Sequence, residues 1–227
     1  IVDGVLNGTE SVADTLISPT VPYCDLGLPV RGYDPAKSAA MLEAAGWKLG
    51  PDGLRAKDGQ KAIVRLYYNS QNAQERTLAE YVQSDLKKVG IEMKIIGEEK
   101  QAFLDRQRTG DFELQYSLSW GTPYDPQSYL SSWRIPAHGD YQAQVGMERK
   151  DWLDKTITQL MIEPSEAARK AMYKEILSYV HDEGVYVPVS YSRTKAVHSK
   201  ALQGVGFGVS QYEVPFEKMY FENTPAR

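Results

Sequence analysis

The residues of this chain best equipped for chemistry are three histidines, one cysteine and an excess of tyrosine and tryptophan. His138 stands between Pro136 and Gly139, eighteen positions beyond Trp120 (138 − 120), in a stretch with no helical or strand periodicity to give it a packing role. A loop histidine taken alone is more often simply exposed, yet loops on a rigid scaffold are where binding residues concentrate. His181 falls at the end of an apolar-periodic helix, where an imidazole suits the C-terminal carbonyls. His198 lies in the Lys195 to Lys200 stretch and reads as solvated. Cys24 is the single cysteine, which excludes an intrachain disulfide and a cysteine-built zinc site. Such a residue is ordinarily a small buried hydrophobe. Fifteen Tyr and four Trp against five Phe favour rings with a polar handle. Trp120 and Tyr124 bracket a loop that follows an expected strand, and ligands of open α/β sheets bind near the carboxyl ends of strands. The competing reading has Trp120 plugging the strand end as a core residue.

Signatures of catalysis are missing from the sequence. There is no Gly-x-Ser-x-Gly elbow and no His-Glu-x-x-His. Gly204-Val-Gly-Phe-Gly208 opens no helix and is a weak match to a phosphate-binding loop. The carboxylates are scattered over helix faces, where solvation is their ordinary role. The expectation is a protein that is not an enzyme, with no catalytic residues.

The elements that must position Trp120, Tyr124 and His138 follow from periodicity. Residues 1–33 are rich in Pro and Gly and read as extended or looped chain. Asp34-Pro35 opens a helix, with Asp34 as cap and Pro35 at the first helical position, and Gly46 stops it. Turns at residues 50–61 suggest a short hairpin. Ala62 to Asn69 reads as a strand, and residues 72–89 as a helix packing Leu78, Tyr81, Val82, Leu86 and Val89 on one face. Ile91 to Ile96 is a second strand, and Lys100 to Arg108 a second helix of this unit. Phe112 to Ser119 alternates strictly and predicts a half-buried strand. Strand, helix, strand, helix, strand implies an α/β fold with crossover connections. Beyond Trp120 come a short helix to Trp133, a loop over Ile135 to Met147, and helices near residues 148–162 and 165–182. Val185 to Tyr191 reads as a strand that Pro188 confines to an edge, followed by an irregular aromatic tail.

The 227 residues carry 26 basic and 30 acidic side chains, a net charge of −4. With 25% charged and 42% hydrophobic residues the composition is that of a folded globular protein rather than a disordered chain. No Lys/Arg block supplies the clustered positive charge a nucleic-acid binder needs. No apolar run approaches the roughly 18 to 20 residues of a membrane-spanning helix. The chain opens Ile-Val-Asp-Gly-Val-Leu, without Met or a basic leader, so it is expected to be a fragment or processed product.

Tyr33-Asp-Pro-Ala-Lys-Ser-Ala-Ala-Met-Leu-Glu-Ala-Ala-Gly-Trp47 resembles a helix of the family 5 solute-binding proteins of ABC importers, which carry peptides, nickel and related ligands. Gly4-Val-Leu-Asn-Gly8, Gly90-Ile-Glu92 and Asp151-Trp-Leu-Asp154 are further matches. The likeness covers essentially the whole chain but only the C-terminal half of the family. It is strongest to the nickel-carrying branch, through Pro22-Tyr23-Cys24, Ile96-Gly-Glu-Glu99, Trp120-Gly-Thr-Pro-Tyr124-Asp-Pro126, Leu130-Ser-Ser132 and His181-Asp-Glu183. The resemblance implies a type II periplasmic-binding-protein lobe, a mixed sheet flanked by helices, with C-terminal segments returning to a second lobe. It implies a connecting segment over residues 1–30, a ligand-binding lobe over 31–185 and a return segment over 186–227.

By the same resemblance Trp120 and Tyr124 line a ligand cleft, Tyr212 lies beside it in place of a small hydroxyl residue, and His138 coordinates the metal. The implied partners are an ABC importer permease and the N-terminal half of the same protein. The implied location is the periplasm, or the cell exterior through an anchor in the missing part. Nickel(II) takes about four to six donors, and a lone His138 cannot supply them. The ion is therefore expected to arrive wrapped in a small organic chelator such as histidine, with Trp120 and Tyr124 as walls. An imidazole ligates only when neutral, so capture should weaken below about pH 6.5. A di- or oligopeptide ligand, held by main-chain hydrogen bonds in an extended cleft, is the alternative.

Overall fold

The computed structural model describes residues 1–120, 125–208 and 212–222. After β1 (Ser11–Val12) the chain runs extended to α1 (Pro35–Ala44). The Asp34 carboxylate accepts from the Lys37 amide at 2.8 Å, and Pro35 occupies the first turn, so the expected start is the observed one. A three-stranded meander follows in place of the simple hairpin: β2 (Lys48–Leu49), β3 (Arg55–Lys57) and β4 (Gln60–Lys61), all antiparallel.

The central sheet is built from β5 (Ile63–Asn69), β6 (Glu92–Glu98) and β7 (Leu114–Gln115), in the order β6-β5-β7 and parallel throughout. Parallel neighbours need long crossovers, supplied by α2 (Ala73–Lys88) and α3 (Lys100–Thr109). Asn72 caps α2 by accepting from the Gln74 and Glu75 amides, while the Glu75 carboxylate accepts from the Asn72 side chain, a reciprocal cap. Leu66, Ala79 and Met93 form the buried centre between α2 and the sheet, with Val64, Val82, Leu86 and Ile95 around them. Two expectations fail here. Tyr81 is half exposed instead of packed, because it sits at the edge of the α2 stripe. The alternating stretch from Phe112 to Ser119 pairs over only two residues; Tyr116 packs against the buried centre, but Leu118 is 82% exposed, so among the described residues the inward face the alternation requires is only partly covered.

The second half of the chain is helical: α4 (Pro126–Ser132), α5 (Gly139–Gln144), α6 (Lys150–Leu160) and α7 (Glu166–Glu183). Residues 135–147 were expected to be a loop and instead contain α5, a single short helix without an apolar stripe to announce it. Trp133, Leu153, Ile157, Leu160, Tyr173 and Ile176 make the main core, joined by Ile17, Val21 and Cys24 from the N-terminal segment. Of the i, i+4 row Ala168, Met172, Ile176 and Val180 that the sequence places on α7, Ile176 and Val180 are buried and Ala168 and Met172 half-buried. The strand expected over Val185 to Tyr191 is reduced to β8 (Ser190–Tyr191), which pairs antiparallel with β1. The tail is not wholly irregular, since β9 (Leu202–Gln203) and β10 (Tyr220–Phe221) pair antiparallel. Parallel and antiparallel pairing thus occur in separate sheets of one α/β chain, and none of its helices is long and apolar enough to cross a membrane among the described residues.

Candidate functional site

Trp120 leaves the end of the β7 region with 37% of its surface exposed, and its ring stacks on Tyr129 with centroids 5.8 Å apart. Tyr129 belongs to α4, which begins with an Asp125 cap and Pro126 at its first position. The stack continues inward: Tyr129 meets Trp133 edge to face at 5.4 Å, and Trp133 lies over Tyr186 at 5.9 Å. An exposed indole is thereby backed by a column of rings, Tyr129 and Trp133 buried and Tyr186 partly so, an arrangement worth more than its area alone.

His138 is the N-cap residue of α5, with extended backbone (φ −94°, ψ 140°) and an imidazole that makes no capping bond. Its own amide donates to the Ile135 carbonyl at 2.8 Å, and its carbonyl accepts from Gln142 at 3.2 Å, so the backbone around it is fixed. Gly139 follows immediately, and a Cβ there would stand 3.0 Å from the side-chain Nε2 of Gln115 on β7. The turn carrying His138 therefore rests against the carboxyl end of the sheet. At that end Gln115 Oε1 and the Tyr116 hydroxyl are buried without a hydrogen-bond partner among the described residues.

Asp140 joins these two parts. Its Oδ1 accepts from the Tyr129 hydroxyl at 2.9 Å and from the Tyr186 hydroxyl at 3.0 Å. Burial holds the Asp140 carboxyl above the usual carboxylate range, against the opposing pull of the two phenols and of His138. Burial and the Asp140 charge in turn push both phenols well above their ordinary value. The Tyr186 hydroxyl also accepts from Gln144 at 2.7 Å, and Gln144 accepts from Lys150. Trp120 and His138 are thus tied together by one network of rings and hydrogen bonds.

Of the other residues singled out from the sequence, Tyr124 lies outside the described residues, and Tyr212 is 74% exposed on the segment between β9 and β10. His181 has a structural place: its Nε2 faces the Pro29 carbonyl at 3.1 Å. His198 is exposed, with Nδ1 3.0 Å from the Ser199 carbonyl. Cys24 is buried, and burial pushes its thiol up to about 12. Among the described residues no three His, Cys, Asp or Glu side chains come together as a metal cage. Tyr129, Asp140 and Tyr186 were not singled out; their separations of 11 and 46 positions match no local motif.

Residues 1–141 match the family described as bacterial extracellular solute-binding proteins, family 5. The chain is 41% identical over 221 residues to the nickel-binding periplasmic protein of Escherichia coli, a match covering 96% of this chain and 42% of that protein. In structure it is similar to NikA from Brucella suis in complex with Fe(III)-EDTA (TM-score 0.88, 39% identity, 97% of this chain and 45% of that one). It is also similar to the oligopeptide-binding protein AppA from Bacillus subtilis in complex with a nonapeptide (TM-score 0.78, 25% identity, 98% and 44%). The chain spans less than half the length of these relatives. With most of the chain inside the family match and its α/β architecture shared across the aligned length, this chain belongs to the family 5 bacterial extracellular solute-binding proteins.

Proposed function

We propose that this chain forms part of a periplasmic receptor that captures nickel as a small organic chelate and delivers it to an ABC importer. The observation that carries the metal reading is the identity, sustained over 96% of the chain, to a protein named for nickel binding. In this reading Trp120 and Tyr124 are walls of the ligand cleft, Tyr212 borders it and His138 is the protein's ligand to the metal. The link from Trp120 through Tyr129 and Asp140 to the turn of His138 supports the pairing of wall and ligand. Nickel is the cargo here. It reaches the site with most of its shell filled by the chelator, since the described residues hold no cage of three or more donors.

Residues 31–185 act as the ligand-binding lobe, with 1–30 and 186–227 as segments shared with a second lobe that the N-terminal half supplies. The β1–β8 pairing joins the two outer segments, and Ile17, Val21 and Cys24 anchor the first of them in the helical core, which supports a connector role. The chain has no catalytic task in this reading.

Titration of the native particle with NiCl2, with and without free L-histidine, tests the proposal. Binding only in the presence of the chelator, weakened on His138→Ala, is the expected result. Tight binding of the bare aquo ion, or full binding by the variant, overturns it. The likeness to AppA favours a peptide ligand as second reading, and a thermal-shift panel of di- and oligopeptides against nickel with histidine separates the two.

A further inference from the structure

The geometry points to Asp140 as a positioning residue that holds the His138 turn and the Trp120 wall in fixed relation. This inference rests on the proposed function and adds to it a residue that touches neither metal nor chelator. Asp140 sits in the first turn of α5, two residues beyond His138, and its Oδ1 takes hydrogen bonds from Tyr129 on α4 and from Tyr186 near the C-terminal end of the helical core. Tyr129 is 1% exposed and carries the Trp120 ring on its face, so the oxygen that anchors Tyr129 also anchors the wall. Tyr186 is in turn stacked on Trp133 and bonded to Gln144 at the other end of α5. One carboxylate oxygen therefore locks three separate pieces of chain at the point where an imidazole and an indole must face the same ligand. His138 itself makes no capping bond, and α5 is placed by the bonds of Asp140 and Gln144, by Gln142 donating to the Pro136 and Arg108 carbonyls, and by its packing against Gln115; of these only the Asp140 bonds reach the residue that carries Trp120. Groups that orient a metal ligand without touching the metal are worth about 10- to 100-fold in metal affinity.

The test is a double-mutant cycle on the native particle, read by calorimetric titration with NiCl2 in excess L-histidine. Asp140→Ala removes the acceptor, whereas Asp140→Asn keeps an oxygen at the same place. The alanine variant should lose about 10- to 100-fold in affinity, and the asparagine variant should recover most of it. In a His138→Ala background, Asp140→Ala should cost clearly less than in the parent, because only the Trp120 wall is then left to be held. If Asp140→Ala does not fold, Tyr129→Phe takes its place in the cycle, since it deletes one bond and keeps the ring under Trp120. A purely structural role would lower the melting temperature and add its loss to that of His138→Ala; that additivity overturns the inference while leaving His138 as ligand. Undiminished binding by His138→Ala overturns the proposed function and this inference together.

Discussion

The Lys150 ammonium lies 2.6 Å from the carboxylate of Asp154, one turn along α6, and also donates to the Trp133 carbonyl at 3.0 Å. Lys150 is buried, which a lysine tolerates only when its charge is paired and its protons are bonded. Removing one member of such a pair leaves the other charged and stranded. Asp154→Ala is expected to cost about 2 to 3 kcal/mol, toward the low end for buried pairs because Asp154 keeps 30% exposure. Thermal unfolding should show a fall of roughly 5 to 10 °C. Replacing both residues by apolar ones of similar size should cost much less than the single change.

Cys24 should be inert. The thiolate is the reactive form, and a thiol raised to about 12 leaves roughly one molecule in ten thousand ionised at pH 8. A colorimetric thiol reagent should label it only as fast as the protein unfolds. The sign of the accompanying stability effect is fixed. The native thiol holds its proton to higher pH than the unfolded one, so stability is complete below the ordinary thiol value and falls as pH rises through about 9 to 12, by about 1.4 kcal/mol per unit. Cys24→Ala should flatten that part of the curve when urea denaturation is followed from pH 8 to 11.

Gly204 has φ +73°, and a Cβ there would stand 1.9 Å from the Lys218 carbonyl oxygen, a backbone atom that has no rotamer to yield. Gly204→Ala should therefore open the β9–β10 pair. Hydrogen exchange of residues 202 to 221 should rise, with protection of β5 and β6 unchanged.

Arg106 forks onto Glu98 and lies 4.0 Å over the ring of Tyr67. A lysine keeps the charge but neither the fork nor the flat stacking face. Arg106→Lys is expected to destabilise by about 1 kcal/mol, measured by urea denaturation, even though charge is conserved.

Where caps and stripes carry the information, the fold was legible. Asp34-Pro35 starts a helix at the residue its chemistry names, the helix that apolar spacing expects from about residue 72 is observed, and the α7 row is buried at Ile176 and Val180 and half-buried at Ala168 and Met172. Alternation from Phe112 to Ser119 misled, because period two states which face a strand would bury and says nothing of whether a partner covers it. α5 was hidden because six residues without an apolar stripe give no periodic signal. Of the candidate site, Trp120 and His138 stood out by type and setting, while Tyr129, Asp140 and Tyr186 are joined only by tertiary folding. A buried carboxylate reached by two phenols has no signature along the chain.

Ser11 pairs with Tyr191 across 180 positions of sequence (191 − 11). At roughly 5 to 20 residues per second of synthesis, the first strand leaves the ribosome about ten to thirty-five seconds before its partner exists. During that interval Ile17, Val21 and Cys24 also wait for α6 and α7 to be made. Nascent chains of this protein thus pass through a long stage with the apolar residues Ile17, Val21 and Cys24 uncovered by α6 and α7, a stage at which holding chaperones would find a clear target.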